Sequence, residues 1–104
     1  LLQLSFVGAE IDNACFRELI FDQVLFREAR LTNCDFSCSD LIHADFYHCN
    51  AESSRFEKTE LSGANCSYSS FRQANFTKAI LKKTNFYHFH RPTFYINQKT
   101  MIEY

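Results

Sequence analysis

Large apolar side chains recur along this chain every five residues. Counting in fives from Phe6 to Phe86 visits seventeen positions, and fifteen of them are Phe, Leu or Ile. The register is cleanest over residues 31–46, LTNCDFSCSDLIHADF, where Leu31, Phe36, Leu41 and Phe46 alternate with small residues at Cys34, Ser39 and Ala44. Asp35, Asp40 and Asp45 fill the places between. A helix repeats every 3.6 residues and a strand every two, so neither accounts for a period of five. In an extended segment residues two apart face the same way, which puts each large residue on one side with the small residue two before it. An odd period on a straight chain would throw alternate Phe residues outward. Keeping all of them inside requires a corner in every unit, just after the large residue. With two glycines in 104 residues, these corners are expected to avoid positive φ, as type I turns do.

A chain that corners every five residues and never reverses winds into a coil. Four corners close a square, so about four coils of 20 residues are expected, stacked at the sheet spacing of ~4.8 Å. One side then stacks Phe6, Phe26, Phe46, Cys66 and Phe86, and the opposite side stacks Phe16, Phe36, Phe56 and Phe76. The other two carry Ile11, Leu31, Ala51 and Phe71, and Phe21, Leu41, Leu61 and Leu81. Ala51 and Cys66 are undersized and predict a looser spot or a compensating neighbour. The class is all-β. The units CDF, ADF, ANF and TNF, each followed by two free positions, resemble the A-(D/N)-(L/F)-x-x units of the pentapeptide-repeat family. The resemblance covers residues 4–86, with departures at Leu19-Ile20, Val24-Leu25, Ala51 and Cys66. It implies a right-handed quadrilateral (four-sided) parallel β-helix.

After Phe86 the register fails. Phe89 takes a small-residue place, Arg91 a large-residue one, and Pro92 follows. The chain is accordingly divided into a β-helix over 1–89 and an irregular C-terminal cap or tail over 90–104. Phe94, Tyr95 and Ile96 form the cap's apolar part, covering the open coil end. A last partial coil, a short helix and an arm onto a partner chain all fit this segment. Leu1 is already in register without an initiator Met, which is read as a domain of something longer or a trimmed chain.

Composition narrows the function classes. Net charge is −1, which gives no overall pull toward nucleic acid or an anionic membrane. The balance hides a gradient: residues 1–52 hold three arginines against nine acids, −6, whereas residues 53–104 hold eight cations against three acids, +5. No apolar run approaches the ~20 residues that a membrane span needs. Five cysteines match no disulfide framework or zinc spacing. They read as reduced thiols in the cytoplasm or another reducing compartment, a host cytosol included. Cys34, Cys49 and Cys66 fall on inward positions, and Cys15 and Cys38 on outward ones.

Chemistry-bearing motifs are scarce. No nucleophile elbow, phosphate-cradling glycine loop or paired metal-ligand helix occurs, and no cofactor or metal site is expected. His88 and His90 share a side, but no third ligand accompanies them. Asn65-Cys-Ser67 and Asn75-Phe-Thr77 match the glycosylation pattern, which this repeat generates automatically. The informative outward feature is aromatic. At 20 residues per coil, His48, Tyr68 and His88 form one column, and Tyr47, Ser67 and Tyr87 the adjoining one. Tyr is enriched at interface hot spots, so Tyr47, His48, Tyr68, Tyr87 and His88 are the candidate protein-binding residues. Outward aromatics also stabilise neighbouring strands with no partner at all. Ile20, Ile42 and Ile80 mark a second side for self-association, and the C-terminal end is an alternative.

The expected function is a non-enzymatic protein–protein interaction or scaffold module. The resemblance implies roles such as a recognition domain of a bacterial effector. Its alternative is the DNA mimicry of the topoisomerase-binding, quinolone-resistance members, for which a rod with a +5 half is a poor copy of duplex charge. Another protein is the expected partner, with no nucleic acid.

Overall fold

The computed structural model describes residues 3–89 and the backbone of Met101–Glu103. Parallel bridges join residues 20 apart at every fifth position, from Ser5–Leu25 and Glu10–Arg30 through to Asn65–Asn85. The sides of the coil are therefore very short. Most carry a single bridging residue where an ordinary sheet would carry a strand. One side is longer: β1, Ile80–Lys82, pairs in parallel with β2, Met101–Glu103. Ile80 faces Met101, 21 residues on, so this last pairing has slipped one residue from the register below it. Phe94, Tyr95 and Ile96 lie outside the described residues.

The repeat satisfies its backbone donors in a fixed order, and the unit 44–48 shows how. The Ala44 N–H closes the preceding turn onto the Leu41 carbonyl at 3.0 Å. The Asp45 N–H donates to Val24 one coil back, at 2.9 Å. The N–H groups of Phe46 and His48 donate one coil forward, to Asn65 at 2.7 Å and Ser67 at 3.0 Å. That leaves the Tyr47 N–H, which donates to the Asp45 carboxylate at 2.9 Å. Asp or Asn before the large residue thus supplies the one acceptor that the coil lacks, an Asx-type bond. Asp35, Asp40, Asn50, Asn65, Asn75 and Asn85 do the same for the residue two places on. Asn65 and Asn75 are the two residues in glycosylation-like motifs, so this bond, general to the repeat, accounts for their presence.

The corners correct one expectation. They are not type I turns. The second residue after each large one has φ between +50° and +71°, from Gly8 and Asn13 to Lys83 and His88, and fifteen of these seventeen residues are not glycine. Positive φ at the third turn residue alone is the mark of type II, which a scarcity of glycine had argued against. The inter-coil bonds explain it, because the N–H of this residue is held to the next coil while its neighbour closes the turn.

Inside, the ladders stand as their spacing predicts. Phe16, Phe36, Phe56 and Phe76 stack face to face at 4.9–5.0 Å. Phe6, Phe26 and Phe46 stack opposite at 5.1–5.2 Å. The two stacks meet edge-on across the axis, for instance Phe36 against Phe26 at 5.4 Å and Phe46 at 5.8 Å. Ala51 and Cys66 are fully buried. Phe71, above Ala51 in its ladder, is the compensating neighbour, with ring edges against Phe56, Phe76 and Phe86. The small inward positions hold buried hydroxyls safely: Thr59 and Thr84 donate to the Phe36 and Leu61 carbonyls, each at 2.8 Å, and Ser69 donates to that of Phe46.

Candidate protein-binding face

The side built on Phe6, Phe26, Phe46, Cys66 and Phe86 carries the outward aromatics. Tyr47 and Tyr87 follow directly after inward residues, and His48, Tyr68 and His88 occupy positive-φ corner positions. The 20-residue register then brings rings from three successive coils together. Tyr68 meets Tyr47 and Tyr87 edge-on, each at 5.7 Å, and stacks on His88 at 5.4 Å. Tyr87 and His88 touch edge-on at 4.3 Å, and His48 lies 6.0 Å from Tyr47. All five sequence-predicted residues thus form one continuous cluster. Tyr68 and Tyr87 remain 47% and 53% exposed, unlike the buried phenylalanine rings beneath them.

One member is absent from the sequence-level list. The Arg27 guanidinium lies over the Tyr47 ring at 4.6 Å and donates to the Asp45 carboxylate at 2.9 Å. The column arithmetic that joins Tyr47 to Tyr87 reaches Arg27 one coil lower, and this was the available signal. Ser67, between the two tyrosines, is buried and donates to Asn65 Oδ1 at 2.6 Å, leaving a gap over which Tyr68 leans.

The charge gradient has a local counterpart. Among the described residues the ion pairs are Arg17–Asp35, Arg27–Asp45 and Arg30–Asp12, all in the lower coils. The Arg30 guanidinium and the Thr32 hydroxyl and amide hold the Asp12 carboxyl below its usual range. Asp35 is also lowered: partial burial pushes it up, but hydrogen bonds from Ser37 and Arg17 outweigh that. Ile20 and Ile80 do not gather. Ile20 is 86% exposed, but Asp40 and Glu60 stand between it and Ile80 in the same column. All five cysteines are free, with Cys34, Cys49 and Cys66 buried and Cys15 and Cys38 exposed. Burial pushes the Cys49 thiol up to about 12 and Cys66 well above its ordinary value. Among the described residues no group of three metal-ligating side chains converges, and His90 lies outside them.

A four-sided coil with Asx-bonding residues before seven of its large ones defines a class. The chain belongs to the pentapeptide repeat family, and its fold is the right-handed quadrilateral β-helix that this membership implies. The family model, pentapeptide repeats, matches residues 25–63 and 54–89. Among solved structures, a pentapeptide repeat protein from the Arabidopsis thaliana thylakoid lumen superposes with a TM-score of 0.72 at 20% identity, over 79% of this chain and 61% of that one. HetL from the cyanobacterium Nostoc, a protein involved in heterocyst differentiation regulation, gives 0.66 at 16% identity, over 99% and 52%. Rfr23 from the cyanobacterium Cyanothece gives 0.56 at 21%, over 95% and 64%. This chain therefore spans about half to two thirds of the length of these structures. No curated protein matches it in sequence.

Proposed function

We propose that this chain is a non-enzymatic protein-interaction module that docks a partner protein on its tyrosine-bearing side. The observation that carries the reading is the continuous cluster of Tyr47, Tyr68, Tyr87 and His88, in which Tyr68 and Tyr87 are half exposed. Tyrosines supply contact area at low entropic cost, and a side held by backbone bonds to the coils above and below is ordered before binding. The finer reading is a rod of about four coils over residues 1–89 with residues 90–104 as its cap. It works as a recognition domain of a bacterial effector in a reducing cytosol, consistent with five free thiols. DNA mimicry is not favoured, because four cations and no acid lie between residues 61 and 89. The test is the triple variant Tyr47→Ala, Tyr68→Ala, Tyr87→Ala. Its melting temperature should stay close to that of the parent while capture of the partner in a pull-down is lost. Capture retained by a folded triple variant would overturn the proposal.

A further inference from the structure

The tyrosine side repeats its geometry from coil to coil, but its charges do not repeat. In the lower coils a cation, a ring and a carboxylate are in mutual contact: Arg27 over Tyr47, with Asp45 on the guanidinium. Each coil up, the position of Asp45 is taken by Asn65 and then Asn85. Both asparagines turn their oxygens to the backbone, to Ser67 and Tyr87 respectively. Rings therefore continue upward as Tyr68 and Tyr87, and the carboxylate does not.

The cations do continue. Lys83 is exposed at the corner that leads into the side bearing Tyr87. Arg72 is exposed at the following corner, one side beyond the corner that carries Tyr68. Among the described residues neither forms an ion pair. The three acids that precede Arg72 most nearly in the chain each accept a hydrogen bond from another residue. Glu60 accepts from the Ser62 amide at 3.0 Å, and Glu57 accepts from Asn75 Nδ2 at 3.0 Å. Glu52, one coil below Arg72, accepts from Ser70 Oγ at 3.5 Å. From this juxtaposition of half-exposed rings, flanking cations and a missing carboxylate, we infer that the tyrosine side takes an acidic peptide segment of its partner. Carboxylates of that segment would meet Lys83 and Arg72 while its apolar side chains lie on Tyr68 and Tyr87. The inference rests on the docking reading above and adds the chemistry of the occupant. Charged rims of this kind set partner choice and association rate.

The test is selection of random phage-displayed peptides on the immobilised whole chain, followed by binding of fluorescein-labelled copies of the enriched sequences. Enriched peptides should carry net negative charge and bind roughly five- to tenfold more weakly to Lys83→Glu and Arg72→Glu. Replacing one peptide acid by lysine should restore binding to Lys83→Glu but weaken it to the parent. Neutral or basic enriched peptides, or none above background, would overturn the inference, as would binding indifferent to both charge reversals. Neutral peptides that still lose binding to Tyr68→Ala and Tyr87→Ala would leave the docking face standing and remove only its acidic occupant. Acidic peptides indifferent to the tyrosine variants would remove the face itself. A labelled single-stranded oligonucleotide serves as the competing probe. Tighter binding of it, lost in the same variants, would overturn a peptide occupant in favour of phosphate.

Discussion

Lys58 offers a direct test of the corners, because its side chain is exposed and its φ is +55°. An L-residue in this region carries about 1–2 kcal/mol of steric cost, which glycine escapes. Glycine in turn loses more backbone entropy on folding, about 0.5–1 kcal/mol. Lys58→Gly should therefore gain about 0.5–1 kcal/mol. Valine is branched at Cβ and is a genuine outlier at positive φ, so Lys58→Val should lose at least about 1 kcal/mol. The two variants are then separated by about 2 kcal/mol, or roughly 8–16 °C in melting temperature for a domain of this size. Arg72 is the control, exposed but one place earlier in its corner and without positive φ. There the order should invert, with glycine costing about 0.5–1 kcal/mol and valine close to neutral. Thermal melts by circular dichroism would decide. A Lys58→Val variant as stable as Lys58→Gly, or the same ranking at both sites, would refute the assignment of strain to the third corner residue.

Two further expectations follow from the interior. Phe56 is fully buried, stacked at 5.0 and 4.9 Å between Phe36 and Phe76, so Phe56→Ala should cost about 3–5 kcal/mol in denaturant unfolding. Phe86, which is part-exposed, should cost clearly less. The thiols predict an alkaline limit. With Cys49 at about 12 when folded and about 9 when unfolded, the unfolded chain binds fewer protons between those values, so stability falls as pH rises from about 9 to 12. Replacing Cys49 by alanine should flatten that slope in pH-dependent melts, and a thiol reagent at neutral pH should label Cys15 and Cys38 alone in the native protein.

Most of the coil was legible because two periods, five and two, are incompatible on a straight chain. Phe36 between Phe26 and Phe46 follows from counting alone, and so does the meeting of Tyr47, Tyr68 and Tyr87. The turn type was misread for a physical reason. Glycine scarcity argues against positive φ, yet hydrogen bonds to the next coil hold Lys58, Tyr68 and eight other non-glycine residues there regardless. Gly8, Asn13, Asn33 and Gly63, all at the same corner position and all residue types that tolerate it, were the signal. The role of Asp45 was invisible for another reason: it depends on which of five N–H groups the stacking leaves over. Arg27 over Tyr47 required both the column and a side-chain direction, and only the column is written in the sequence.

The assignment of backbone donors within each unit has a consequence for how such a chain can change length. Because bridges between neighbouring coils recur at every fifth position, a gene can lose or gain five residues and still encode a chain with a continuous core. All residues beyond the change, however, would be turned a quarter revolution about the axis. Tyr87 and His88 would leave Tyr68 and appear around the corner from it. Only changes of a full 20 residues keep a surface column aligned, so interior packing tolerates steps of five while any binding face tolerates only steps four times as large.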